Sequence, residues 1–278
     1  MKKMQASAMI PEERIHIELK RIESEEKVRI LYACESGSRA WGFPSQDSDY
    51  DVRFLYAHPT EWYLSVHPGR DVIERPISER LDLSGWDIRK ALQLLAKSNP
   101  PLLEWLHSPI RYLEWGTVVG SMREMTPDLY SPRSSIHHYL HLGEGNFRDY
   151  LQGERVRLKK YFYVLRSVLA CQWLAERGGI PPVAFRELVE ALLPAGELKD
   201  TVEELLRRKR SGEEMDSEPP FPLLHRYLEQ RLVELREQAG RMPQAEKPPD
   251  SLLDAWFRAA LRESDAAPWT ERSDPAPR

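Results

Sequence analysis

Apolar positions in the first 115 or so residues of this chain come in short strand-like runs, whereas from Ser134 onward they recur with helical spacing and no strand signal competes. Ile10 to Glu25 predicts a helix with Pro11 near its start and a charged outer face. Lys27 to Glu35, with Val28, Ile30, Leu31, Tyr32, Ala33 and Cys34, reads as a buried strand, and Asp49 to Tyr56 as a second strand with alternating faces. Pro59-Thr60 caps a short helical piece through Leu64. Asp71 to Ile77 and Glu79 to Trp86 predict two further strands, the second running into a helix from Asp87 to Lys97 with Ile88, Leu92 and Leu95 on one face. Ser98-Asn99-Pro100-Pro101 stops that helix, and Leu102 to Leu106 restarts one.

Downstream, the strongest helical signal runs from about Glu154 to Glu176, where Val156, Leu158, Phe162, Leu165, Val168, Leu169 and Trp173 form a broad apolar face. Ala184 to Leu193, Glu197 to Lys209, Leu223 to Ala239 and Asp250 to Glu263 predict further helices. Gly212 to Pro222 and Gly240 to Pro249 read as linkers. The polar, proline-bearing tail from Ser264 reads as disordered. The expected organisation is an α/β domain with a mixed sheet over residues 1–115, an all-α domain over 116–263, and the tail over 264–278, with no internal repeat.

Composition narrows the class. The chain has 278 residues, 41% of them hydrophobic, and no apolar run long enough to cross a bilayer, so a soluble protein is expected. The first ten residues lack the sustained apolar core of a secretory signal, and the only cysteines, Cys34 and Cys171, sit in apolar stretches. Two buried thiols fit a reducing cytoplasm better than a disulfide framework. A net charge of −4 argues against strong nonspecific nucleic-acid binding by the chain as a whole, leaving room for a local basic groove.

The candidate chemistry lies between Ser36 and Arg53. Ser36-Gly37-Ser38 ends the first strand in a turn into a short helix, where Gly37 lets the backbone approach phosphates closely and the Ser38 hydroxyl adds a donor. Eleven residues after Ser38 comes Asp49-Tyr50-Asp51. In a strand, Asp49 and Asp51 share a face and repel each other unless a cation sits between them, and hard oxygen ligands suit magnesium. A calcium loop counted from Asp47 would need glycine at its sixth position and glutamate at its twelfth, but those positions hold Val52 and His58. In-line phosphoryl transfer needs a further carboxylate. Asp82, inside a strand-like run, is preferred over Asp87, which reads as a helix N-cap.

Basic residues should meet the phosphates. Arg155, Lys159 and Arg166 fall near one stripe of the long helix, with Tyr163 between them. Arg166, flanked by Val164, Leu165, Val168 and Leu169, needs an anionic partner. Arg39 and Arg53 read as structural ion-pair partners. His137, His138 and His141 lack the further ligand that zinc would need. Of the eight tryptophans, Trp41 alone directly follows the phosphate turn.

Gly37-Ser38 followed by Asp49-x-Asp51 resembles the signature of the DNA polymerase β-type nucleotidyltransferases, and more narrowly the RlaP-like predicted nucleotidyltransferases of the RNA repair pathway. Four stretches carry the resemblance: Gly37 to Arg53, Leu81 to Leu92, Asn99 to Leu106 and Arg157 to Arg166. It implies transfer of a nucleoside monophosphate from an NTP to an acceptor hydroxyl, with release of pyrophosphate. On this reading Gly37, Ser38, Lys160 and Arg166 contact the nucleotide and Asp49, Asp51 and Asp82 hold two magnesium ions. Arg155 and Lys159 then face the acceptor. The resemblance suggests an RNA 3′ end as acceptor. A protein hydroxyl, as in antitoxin-like AMP transfer, or a small molecule, as in aminoglycoside adenylylation, would use the same carboxylates. A nucleotide-sensing module without catalysis is the remaining alternative.

Overall fold

The computed structural model describes residues 12–213, 218–243 and 246–266. Ile10 and Pro11 of the first expected helix, the signal reading of the first ten residues, the inner parts of both linkers and the tail beyond Ala266 lie outside the described residues.

The first unit interleaves helices and strands: α1 (Glu12–Glu26), β1 (Arg29–Glu35), α2 (Gly37–Ala40), β2 (Tyr50–Ala57), α3 (Thr60–Tyr63), β3 (Val72–Glu74), β4 (Leu81–Asp87), α4 (Ile88–Leu95), α5 (Pro100–Leu106) and β5 (Arg111–Glu114). The remainder is helical: α6 (Val118–Leu129), α7 (Pro132–Tyr150), α8 (Lys159–Arg177), α9 (Phe185–Leu192), α10 (Glu197–Arg210), α11 (Pro222–Arg241) and α12 (Asp250–Ala266). The strands form one mixed sheet in the order β3-β4-β2-β1-β5, with β2 and β4 parallel and the other neighbours antiparallel.

Strand alternation assigns the two faces of this sheet. Tyr50, Val52, Phe54, Tyr56, Leu81 and Leu83 pack on Ile15, Leu19 and Ile22 of α1. On the opposite face, Leu55 and Ala57 lie under α4, α5, α6 and α12, while Asp51, Arg53 and Asp82 occupy the stretch of the same face nearer the start of the ladder. Local signals hold the helices in place. Asp87 caps α4, Asn99 caps α5 with Pro100 in its first turn, Ser131 caps α7, and Gly178, in the left-handed region, ends α8.

The second core is built from α7 to α11, and Phe43, from the loop after α2, inserts into it. Two expectations change here. The cores do not divide the chain at residue 115, because α6 and α12 return to the sheet unit through Val118, Val119, Met122, Trp256, Ala260 and Leu261. Ser264 to Ala266 also extend α12, with Ser264 buried, where a disordered tail had been expected. β5 is half-exposed and polar at both ends, so alternation alone gave it no separate signal. No helix among the described residues is long and apolar enough to cross a membrane.

Candidate active site

β1 ends in Glu35, a fully buried carboxylate. Its Oε1 accepts the backbone N–H of Asp51 at 2.8 Å, the Tyr112 hydroxyl donates to its Oε2, and Ser108 Oγ donates to its carbonyl at 2.6 Å. Burial pushes the Glu35 carboxyl up from its usual range, against the Tyr112 hydrogen bond. Sequence reasoning passed over Glu35. A lone acid closing an apolar run looks like a strand end, and only the sheet shows it gripping the backbone of Asp51.

The chain then turns at Gly37, whose φ of +59° favours glycine. Space reinforces that choice, since a Cβ here would lie 2.1 Å from Asp51 Oδ2. The first strand's turn and the second strand's carboxylate are therefore in direct contact. Ser36 N–H donates to the Asp51 carbonyl at 2.8 Å, and Phe43 N–H to the Ser38 carbonyl at 3.0 Å, closing the loop around α2.

Asp51 and Asp82 are register partners on the parallel strands β2 and β4. Arg53, two residues along the same face, donates through Nη2 to Asp51 Oδ1 at 3.1 Å and Asp82 Oδ2 at 2.7 Å, and through Nη1 to the Asp82 carbonyl at 3.1 Å. One guanidinium thus serves two carboxylates. Asp51 is pushed above the usual carboxylate range by burial first, then by the nearby charges of Asp82 and Asp49, with Arg53 opposing. Asp49 is exposed just before β2. Its carbonyl accepts Arg39 Nε at 3.1 Å, while the Arg39 guanidinium lies 3.7 Å over the Tyr50 ring and holds the Ser48 carbonyl at 2.9 Å. Arg53 has the ion-pair partners expected of it, whereas Arg39, expected to pair with a carboxylate, is held by backbone carbonyls and the Tyr50 ring.

Asp87 sits at the far end of the ladder, opposite Tyr56. Five residues at about 3.3 Å each put it on the order of 16 Å from Asp82. It is buried, accepts Arg89 N–H at 2.8 Å and the Tyr63 hydroxyl at 2.6 Å, and is pushed up to about 6 mainly by burial.

The helical unit reaches the carboxylates through α8. Tyr163 is close enough for the charges of Asp51 and Asp49 to help raise its hydroxyl above the usual range, after burial. Lys160 Nζ lies 4.9 Å from the Tyr163 ring and 4.1 Å from that of Tyr150. Trp41 packs edge-on against Tyr163 at 5.5 Å.

Two other basic residues stand elsewhere. Arg155 precedes α8 in an irregular segment after Gly153, where Val156 exchanges two backbone hydrogen bonds with Glu218. It therefore shares no helical stripe with Lys159, the exposed first residue of α8. Arg166 is buried, donates to Glu104 Oε1 at 2.7 Å, and stacks 4.5 Å over Trp41. Glu104 also accepts the Tyr139 hydroxyl at 2.8 Å and Trp41 Nε1 at 3.1 Å. This network ties the loop after α2 to both units.

Among the described residues no group of three or more His, Cys, Asp or Glu side chains is arranged to hold a metal ion. At the inner pair, Arg53 stands where a cation would. The donor chemistry nonetheless fits a hard divalent cation, because Asp49, Asp51 and Asp82 supply only carboxylate oxygens and outnumber the one guanidinium that joins Asp51 to Asp82.

A nucleotidyltransferase-like protein of known structure from Exiguobacterium sibiricum 255-15 is 16% identical, with a TM-score of 0.30 over 90% of this chain and 81% of that one, too low a likeness to carry any argument. The uncharacterized protein YcgL of Bacillus subtilis (strain 168) is 50% identical over 242 residues, covering 87% of this chain and 93% of that protein. The profile of the RNA repair pathway DNA polymerase beta family, RlaP, matches residues 12–259, and the chain belongs to that family.

Proposed function

We propose that the protein is a nucleotidyltransferase that moves a nucleoside monophosphate from an NTP to an acceptor hydroxyl. The observation that carries this reading is the register pairing of Asp51 with Asp82 beside the Gly37 turn, with Asp49 two residues upstream. Asp49, Asp51 and Asp82 are the residues that would hold two magnesium ions, which when bound stabilise charge on the transferring phosphoryl group and lower the pKa of the attacking hydroxyl. On this reading Gly37 and Ser38 receive the β- and γ-phosphates and Lys160 neutralises them, a role supported by its position beside Tyr163, which feels the charges of Asp51 and Asp49. The acceptor oxygen bonds to the α-phosphorus as the bond to the bridging oxygen breaks, and pyrophosphate leaves.

Glu35 keeps Asp51 in place by holding its backbone N–H. Arg53 balances part of the carboxylate charge while the site awaits substrate. Arg166, its guanidinium engaged by Glu104 and stacked on Trp41, holds the loop after α2 in place instead of contacting the nucleotide itself. Lys159, on the exposed start of α8, and Arg155, on the segment before it, are offered to the acceptor. An RNA 3′ end is the acceptor favoured by the family. Two buried, free thiols, Cys34 and Cys171, support a reducing, cytoplasmic setting.

The test is incubation with labelled NTPs, magnesium, total RNA and cell lysate. Label in RNA supports the proposal as a whole, and label in protein or a small molecule keeps the chemistry but replaces the acceptor. The Arg53 bridge favours one second reading, a nucleotide sensor whose carboxylates stay neutralised. Binding of NTP by calorimetry with no pyrophosphate release on any acceptor would select it.

A further inference from the structure

The basic run at the end of α10, Arg207 to Arg210, is partnered unevenly. Arg207 pairs with Glu204, Arg208 with Glu213 and Glu218, and Arg210 donates to the Gly42 carbonyl at 3.2 Å. Lys209, half-buried, has among the described residues no carboxylate within ion-pairing distance. Its Nζ instead lies 5.2 Å from the centre of the Phe43 ring and 5.7 Å from that of Phe162. Burial first, and then the neighbouring Lys159, lower its pKa, so the charged form of Lys209 is disfavoured where it stands. A cation placed this way is stabilised by an anion that arrives from outside.

Position supplies the second observation. Phe43 closes the loop around α2, since its N–H donates to the Ser38 carbonyl at 3.0 Å. From Phe43 a continuous belt of rings runs through Trp41, at 5.8 Å, to Tyr163, at a further 5.5 Å. Tyr163 carries Lys160 and feels the charges of Asp49 and Asp51. Two half-buried lysines, from α8 and α10, therefore stand at the two ends of one aromatic belt beside the carboxylate site.

We infer that Lys209, seated on the buried Phe43 and Phe162 rings, is the anion-binding group of a phosphate subsite at the far end of this belt from Lys160. Its ligand is a phosphate group, from either the triphosphate tail of a nucleotide or the backbone of a nucleic-acid strand. The inference deepens the nucleotidyl-transfer reading but rests on binding alone.

The experiment uses the full chain without divalent metal, so that turnover plays no part. Equilibrium binding of inorganic tripolyphosphate and of a short single-stranded oligoribonucleotide is compared for wild type, Lys209→Gln, Lys209→Arg and Lys199→Gln. Lys199 lies on the same helix about 15 Å away and controls for net charge. Loss of one charge-assisted contact should weaken binding about tenfold in Lys209→Gln only, with Lys209→Arg retaining it. Weakened tripolyphosphate binding assigns the subsite to the triphosphate, and weakened oligonucleotide binding with a shallower salt dependence assigns it to a strand.

Lysine acylation of the wild-type protein, read by mass spectrometry, covers the case in which Lys209→Gln does not fold. Either probe should protect Lys209 and leave Lys199 reactive. Equal affinity in Lys209→Gln and wild type, or labelling of Lys209 unchanged by both probes, overturns the subsite while leaving nucleotidyl transfer standing. Conversely, a Lys209 effect on binding in a protein that transfers no label keeps the subsite and removes the catalytic reading.

Discussion

Asp82 and Asp87 lie on one strand, and the β2–β4 ladder treats them in opposite ways. At the open end, Asp82 faces Asp51, both carboxylates are more than a quarter exposed, and a single guanidinium serves the two of them. At the closed end, Asp87 is buried and receives the Arg89 N–H of α4 and the Tyr63 hydroxyl, both of them parts of the fold. Asp87 is complete without a ligand, whereas the open end has more negative charge than the protein neutralises. The Glu104–Arg166 pair follows the closed pattern, with Tyr139 and Trp41 filling the remaining positions on Glu104. Under-neutralised carboxylates in contact with solvent mark the place for chemistry, and fully satisfied ones mark structure.

The largest expected effect lies at the open end. Asp51→Asn and Asp82→Asn should each reduce transfer on the order of a thousandfold, the scale of several kcal/mol supplied by a metal-assisted site. Melting temperatures should stay near wild type, because each substitution also relieves repulsion. A large drop in melting temperature in both variants would erase the contrast between the ends.

Next comes the buried pair. Arg166→Met leaves the largely buried Glu104 with its charge uncompensated and should destabilise the protein by about 3 kcal/mol in denaturant unfolding. Unchanged stability with a raised KM for nucleotide would instead move Arg166 to the open region.

Gly37→Ala tests the contact between the turn and Asp51. The added Cβ meets Asp51 Oδ2 and the left-handed backbone disfavours alanine by about 1–2 kcal/mol. Activity should fall further than this modest loss of stability explains, which parallel kcat and unfolding measurements would show.

The smallest effects belong to Asp87. Asp87→Ala should cost about 1 kcal/mol through the lost cap, and Asp87→Asn should largely preserve it. Its folded pKa of about 6 lies above the ordinary 3.8, so the folded state binds the proton more tightly. That contribution is full below the lower value and disappears as pH rises through the higher one. The melting temperature of Asp87→Asn relative to wild type should therefore be higher at about pH 7 than at about pH 4. Comparing each pH against the same variant cancels His58, which burial lowers to about 4 and which titrates with the opposite sign.

Several of these residues were legible beforehand. The run from Gly37 to Arg53 gave the turn, the strand and the acidic pair, because a tight turn and a two-residue alternation are local properties of the backbone. Parity and capping chemistry separated Asp82 from Asp87 for the same reason. The spacing predicts a helix from about Glu154 and so puts Arg155 on it, but α8 begins at Lys159, and at Val156 the backbone instead bridges to Glu218, a residue far along the chain. Arg166 was read as needing an anion, but nothing local pointed to Glu104, 62 residues earlier. Glu35 and Lys209 carried no pattern at all.

The order of strands and helices, the Gly37 turn and the strand face carrying Asp51 and Arg53 follow from the sequence by itself, since near neighbours determine φ, capping and alternation, whereas Asp49, expected on that face, stands just before the strand. Tertiary structure decided the rest. It brought β4 alongside β2 in the register that faces Asp82 to Asp51, returned α12 to the sheet, placed Glu35 behind Asp51, and carried Lys209 to the Phe43 ring in the loop after α2. These contacts join residues far apart in the chain, and their geometry comes from burying two apolar cores together, which no local pattern encodes.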